Sequence, residues 1–204
     1  MIATINRRFG TWRGLVRALL ARAELAAGRL EDFRLKDPQS VQRVVFVCLG
    51  NICRSAYGHQ IARELGLSVA SLGLSTSTGV GSPDSAVDAA RRANVAMHEH
   101  RATDWSDFEV RPGDLFLVME VRQAHELTRR LKGRGDVRVA LLGLWCDPVM
   151  PHLHDPFTLS DGYFDSCFAR VRQATINLAK ILPHARAASS TGGVAGAAKA
   201  QAAQ

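Results

Sequence analysis

The apolar positions of this 204-residue chain change period near residue 42. Before it, Ile5, Phe9, Trp12, Val16, Leu19, Ala23, Ala26, Leu30 and Phe33 recur at alternating four- and three-residue steps. That spacing lays one apolar stripe along a helix and predicts a single long helix over 1–37. Gly10, Gly14 and Gly28 weaken it, and Pro38 ends it. Beyond Gln42, short apolar runs alternate with helical patterns. Strands are expected at 44–47, 68–74, 115–119 and 137–142; the first is β-branched and uninterrupted, as in a strand covered on both faces. Helices are expected at 54–65, 82–93, 121–131 and 161–182. Ser82-Pro83-Asp84 opens the second with a capping hydroxyl, an early proline and an early acid.

This alternation predicts an α/β fold: one three-layer domain with a four-stranded parallel sheet flanked by helices, plus an N-terminal helical extension. The expected divisions are an extension at 1–41, a domain at 42–184 and a disordered tail at 185–204, rich in alanine, glycine, serine and glutamine. The stripe in 1–37 is narrow and seam-like, which suits packing against the domain or a second copy of itself. A membrane-surface helix, with Trp12, Phe9 and flanking arginines at the interface, is the other reading.

The net charge of +7 raises the question of nucleic acid, but its distribution answers it. Residues 1–41 carry eight basic and four acidic side chains, and 42–184 carry sixteen and fifteen. A basic surplus confined to appendages favours a membrane surface or an acidic partner, and no nucleic-acid motif accompanies it. No run of apolar residues is long enough to span a bilayer, and arginines interrupt the N-terminal segment before a signal-peptide core could form. Four cysteines without a paired framework read as reduced, cytosolic thiols.

In a sheet of this type ligands bind at the carboxyl ends of strands, where helix N-termini point. The first strand delivers Cys48 to that edge, and a helix begins near Arg54. The intervening Leu49, Gly50, Asn51, Ile52 and Cys53 must curl with their N–H groups inward, forming an anion cradle that Ser55 completes. Gly50 permits close backbone approach, and Asn51 tolerates a left-handed conformation. Arg54 can grip two phosphoryl oxygens with its planar fork. Every one of these groups favours an anion, so Cys48 is expected to act as a thiolate nucleophile, with Ser55 donating to its sulfur. The same donors would stabilise a transferring phosphoryl group.

The run Val47-Cys-Leu-Gly-Asn-Ile-Cys-Arg-Ser55 resembles the signature of the low-molecular-weight protein tyrosine phosphatases. The resemblance continues through Ser71-Leu-Gly, His100-Arg-Ala, Phe116-Leu-Val-Met-Glu120 and Asp155-Pro-Phe157, and covers roughly residues 43–182. It implies hydrolysis of phosphotyrosine through a phosphocysteine, with Asp155 as general acid and with neither cofactor nor metal. Asp147-Pro148 is a competing Asp-Pro, and only spacing to the last helix favours Asp155. The resemblance further implies that Asn51, Ser71 and His100 lock the loop, and that Cys53 can form a protective disulfide with the nucleophile. Cys146 and Cys167 read as packing residues.

The chain departs from the family pattern in its substrate wall. The stretch 75–81 lacks aromatics, and Phe157 alone follows Asp155-Pro156. His152 and His154 beside Asp155 are too few for a metal site. Three other readings stay open: arsenate reduction, phosphoarginine hydrolysis and a non-catalytic phosphotyrosine-binding module. Related arginine phosphatases typically carry threonine where this chain has Ile52, which favours an aryl phosphate. The expected partner is a phosphotyrosine-containing protein, and bacterial relatives suggest a membrane-bound tyrosine kinase of exopolysaccharide export. The expected location is the cytoplasm, peripheral to the inner face of the membrane.

Overall fold

Val44, Val45, Phe46 and Val47 are fully buried in β1 (Arg43–Cys48), because helices cover both faces of that strand. The computed structural model describes residues 2–187. It places β1 between β2 (Val69–Gly73) and β3 (Asp114–Val118), with β4 (Arg138–Leu141) beyond β3. All three pairings are parallel, so the expected α/β architecture with a four-stranded parallel sheet is observed.

Alternation along β1 divides the core in two. Phe46 and Cys48 face a cluster that includes Tyr57 and Ile61 of α3 (Arg54–Glu64) and Phe164 and Phe168 of α6 (Asp161–Ala179). Ala86, Ala89 and Ala90 of α4 (Asp84–Arg92) join the same side. Val45 and Val47 face the opposite cluster, with Ala124 and Leu127 of α5 (Val121–Arg130). Tyr57 stacks on Phe168 at 4.1 Å between centroids, which ties α3 to α6. A methyl at Gly58 would collide with the Phe46 ring, so α3 can lie directly on the sheet only with glycine there. Strand β1 and helix α3 are thereby fixed relative to each other, and so is the loop between them.

The extension is not one helix. It forms α1 (Ile2–Phe9) and α2 (Trp12–Ala26), followed by a 3-10 turn at Glu31–Phe33. The break falls at Gly10, whose φ of +78° is left-handed. A methyl on Gly10 would also lie 2.7 Å from Cε1 of Tyr163. Thr11 then caps α2 by accepting the Gly14 N–H at 3.0 Å. The stripe read from the sequence is therefore split between two directions. Phe9, Leu30 and Phe33 pack into the core clusters, whereas Trp12, Val16 and Leu19 are exposed. Helix α2 rests on the protein through the small residues Gly14, Ala18 and Ala21 instead.

The C-terminal boundary also moves. Ser68 N–H donates to Ala185 O and Ala187 N–H to Gly66 O, each at 3.0 Å, and Ala185 is buried. Residues 185–187 are thus ordered against the entry to β2, since these hydrogen bonds outweigh their featureless composition. The rest of the expected tail lies outside the described residues.

Candidate active site

Cys48 ends β1 at the carboxyl edge of the sheet, and Arg54 opens α3 six residues later. The peptide between them turns through Asn51, whose φ of +53° is the left-handed conformation expected of it. Asn51 N–H donates to Cys48 Sγ at 3.3 Å, and its side-chain amide donates to Ser55 Oγ at 2.8 Å. Ser55 Oγ lies 3.0 Å from the sulfur. A hydroxyl carries one proton, so Ser55, already accepting from Asn51, has that proton free for Cys48. The thiol is 3% exposed and receives two donors from its own loop.

Within the protein, the tight backbone contact of the loop falls at Gly73. A methyl at Gly50 would meet Ile52 at 3.4 Å, an ordinary contact, whereas one at Gly73 would lie 2.8 Å from Leu49 O. Gly73 ends β2, and the backbone beyond it continues the pairing: Leu74 N–H donates to Cys48 O and Ser75 N–H to Leu49 O. Leu49 itself is 43% exposed at the rim of the loop, Ile52 is half-buried, and Cys53 is buried.

Arg54 is 1% exposed and is held from three sides. Its NH1 donates to Glu120 Oε1 at 2.7 Å and to Leu153 O at 2.8 Å, while NH2 lies 2.9 Å from Asp155 Oδ2. Burial alone opposes the guanidinium charge, but Asp155, Cys48 and Glu120 outweigh it and hold Arg54 protonated. Burial likewise pushes the Glu120 carboxyl up, yet Arg54 and Arg122 bring it down to about 2. Nε of Arg54 is buried without a partner. A charged donor left open in such a site is what an anion would fill.

Asp155 reaches the arginine with about a third of its side chain exposed. Asp147, the competing acid, is exposed, and its N–H donates to Gln173 of α6. The structure therefore brings Asp155, rather than Asp147, to the cradle. Phe157 follows on the rim, 48% exposed, with its N–H on Asp155 Oδ1 at 3.2 Å.

His100 Nε2 donates to Asn51 O at 2.8 Å, which joins it directly to the loop. Among the described residues, no hydrogen bond joins Ser71 to Asn51. Ser71 pairs with His59 at 3.2 Å, and the His59 ring sits edge-on to His100 at 6.1 Å. Burial lowers both imidazoles, His59 to about 4, which favours neutral rings here. Thr103 N–H closes the set by donating to Asn51 Oδ1 at 3.0 Å. Burial, with Cys48 adding to it, pushes the Cys53 thiol far above its usual range, and burial raises Cys167 to about 12 and Cys146 to about 11.

Four contributors were not assigned from the sequence: Glu120, the Leu153 carbonyl, Thr103 and His59. A signal for Glu120 existed. It follows the buried run of β3 as Cys48 closes that of β1, so an acid stands at the same sheet edge.

The model of the low molecular weight phosphotyrosine protein phosphatase family matches residues 43–188. The chain belongs to that family. Over 92 residues it is 34% identical to a Ralstonia nicotianae protein named a probable low molecular weight protein-tyrosine-phosphatase, EpsP. That stretch is 44% of this chain and only 63% of the relative's length. A probable family phosphatase of Erwinia amylovora, AmsI, is 26% identical over 136 residues, 66% of this chain and 92% of AmsI. Among solved structures, the tyrosine phosphatase Wzb from Escherichia coli K30 in complex with sulphate aligns with a TM-score of 0.58 at 28% identity. It covers 69% of this chain and 97% of Wzb. The family match begins at Arg43, so the helices α1 and α2 lie outside it.

Proposed function

We propose that the chain is a cysteine-dependent protein tyrosine phosphatase that works without cofactor or metal. The observation that carries this is the unpartnered Nε of buried Arg54 in the loop that aims two donors at Cys48. NH1 is committed to Glu120 and Leu153 and NH2 meets Asp155, so Nε is the donor left open; a phosphoryl group would pair one oxygen with Nε and take NH2 from Asp155 with a second. In the first step Cys48 sulfur bonds to phosphorus, the bond to the tyrosyl oxygen breaks, and Asp155 transfers its proton to that oxygen. In the second, water loses a proton to Asp155 and attacks phosphorus, and phosphate leaves as the Cys48 thiolate returns. Ser55 and the loop N–H groups stabilise sulfur when it carries the charge. Asn51, His59, Ser71, His100 and Thr103 keep the loop in shape. Cys53 is the thiol available to Cys48 on oxidation, and its burial keeps it protonated otherwise.

Phosphotyrosine is the substrate that Ile52 and the single rim aromatic Phe157 support. The partner we propose is a tyrosine-phosphorylated protein at the inner face of the membrane, a membrane-bound tyrosine kinase being the specific candidate. Support comes from α2, whose Trp12, Val16, Leu19 and Leu20 are exposed beside Arg13 and Arg17. No helix of the described residues is long and apolar enough to cross a membrane. An apolar arc bordered by arginines suits an anionic lipid surface, and facing a second copy it would oppose like charges. Sedimentation with anionic but not neutral vesicles is expected; a concentration-dependent dimer that ignores vesicles overturns this part.

The deciding experiment is para-nitrophenyl phosphate hydrolysis by wild type, Cys48→Ser, Asp155→Asn and Asp147→Asn. Cys48→Ser is expected to be inactive and Asp155→Asn to lose about a hundredfold, the scale of one general acid. Retained activity in Cys48→Ser refutes the mechanism. A phosphoarginine substrate run in parallel decides between a phosphate ester and a phosphoramidate.

A further inference from the structure

The segment from Val149 to Asp155 carries the carboxyl that faces Arg54, and the extension holds that segment from its other side. Arg22 of α2 donates through Nε and NH2 to Val149 O, each at 3.3 Å. Thr11, the cap of α2, places Oγ1 3.4 Å from Nε2 of His154, the residue just before Asp155. Gly14 lies against the same imidazole; a methyl there would be 2.9 Å from its Cδ2 and would strike the Phe9 carbonyl. A third link passes through α6. Gly10 packs on the ring of Tyr163, and the Tyr163 hydroxyl donates to His154 O at 3.0 Å. His154 is therefore gripped on its ring by the extension and on its carbonyl by a side chain the extension presses on. On the active-site side, Leu153 O and Asp155 both meet Arg54.

We propose that Thr11, Gly14 and Arg22 are positioning residues for the general acid: the extension clamps His154 and so sets where the Asp155 carboxyl stands. The proposal rests on the phosphatase reading above, in which Asp155 protonates the leaving oxygen. Thr11, Gly14 and Arg22 lie outside the stretch that matches the family, whereas His154 and Asp155 lie inside it. The clamp has a specific consequence. A displaced acid still leaves Cys48 and Arg54 in place, so phosphate binding and nucleophilic attack persist. What suffers is proton delivery to a basic leaving group. Nitrophenolate departs without help, whereas phenolate needs the proton.

The test compares kcat/KM for phenyl phosphate and para-nitrophenyl phosphate in the full-length chain, because kcat/KM reports the step in which the aryl oxygen leaves. Gly14→Ala is expected to lower the phenyl phosphate value about tenfold and the nitrophenyl value about twofold or less, a displacement well under 1 Å being enough. Arg22→Ala, which removes only surface hydrogen bonds, keeps the extension folded and is expected to show the same selectivity with about a threefold loss. The inhibition constant of inorganic phosphate is expected to stay unchanged in both. Equal losses for the two substrates, or none in either variant, overturn the clamp. Failure of the phosphatase reading has a different signature, since wild type would then hydrolyse neither ester or Cys48→Ser would remain active.

Discussion

Two arginine–carboxylate pairs stand at opposite ends of the β1–β3 seam, one within the strands and one between the start of α3 and the residue that caps α5. At the amino ends, Arg43 grips Asp114 with Nε and NH2, both at 2.8 Å, and NH2 also donates to Glu109 O. Arg111 N–H adds a further donor to the same carboxylate. At the carboxyl ends, Arg54 meets Glu120 through NH1 alone and keeps its buried Nε unpaired. Each pair is an arginine with a carboxylate, and the two acids are equally buried. What differs is which edge of the guanidinium is used. Arg43 spends its bidentate edge on the protein and closes a structural joint. Arg54 is fixed through NH1, and its bidentate edge carries only the part-exposed Asp155 on NH2, with Nε open.

Substituting both arginines tests the contrast most severely. Arg54→Lys keeps a charge but loses the fork, and kcat/KM for an aryl phosphate is expected to fall about 10²–10³-fold. Arg43→Lys is expected to change it less than about twofold, since Arg43 faces no substrate, and to lower Tm by about 2–4 °C. A comparable activity loss in both would erase the distinction.

The acids give the next largest effect. Glu120→Ala and Asp114→Ala each strand a charged arginine at a protein-filled position, at about 3 kcal/mol by denaturant unfolding. Activity should separate them. Loss of Glu120 removes the charged anchor of Arg54 NH1 and leaves it only Leu153 O and Asp155, for an expected drop of about tenfold or more, whereas Asp114→Ala folded below its transition retains wild-type kcat.

Acid sensitivity is expected to concentrate at the active-site end. Burial lowers His59 and His152 to about 4 from an ordinary 6.5, so the unfolded chain takes up their protons first. Stability that these two contribute is full above about pH 6.5 and is lost as pH falls toward about 4. The Glu120 carboxylate, held at about 2, keeps its pairing through this window and loses it only below that. Thermal melts between pH 7 and 4 should therefore show a falling Tm, with a shallower fall in His152→Asn. An unchanged slope in that variant would reassign the effect. The smallest change is expected from Phe157→Ala: the ring is half exposed on the rim, so KM for an aryl phosphate should rise about threefold with kcat kept.

Local features were legible in the chain and survive in the fold. The β-branched run of β1 and the left-handed Asn51 depend on neighbours within a few residues. So does the pairing of Cys48 with Ser55 and Asn51, seven and three positions apart. The Ser82 hydroxyl expected to cap α4, by contrast, makes no cap hydrogen bond, because Pro83 stands at the N-cap. The extension misled because a 3.6-residue period reports apolar spacing and is blind to a glycine that turns left-handed against Tyr163. Ser71 was placed in the right neighbourhood but one step too close, since His59 of α3 bonds it and meets His100 edge-on.

By itself the amino-acid sequence determined a parallel α/β sheet and the curled loop from Cys48 to Ser55, because both follow from periodicity and short-range backbone geometry. Tertiary structure alone decided what surrounds Arg54. Glu120 is 66 residues away, Leu153 is 99, and the extension reaches His154 across 143. No local pattern encodes such distances. They exist only once the strands have stacked their carboxyl ends along one edge, bringing an acid, a carbonyl and a buried arginine into a site too dry to leave any of them unpaired without consequence.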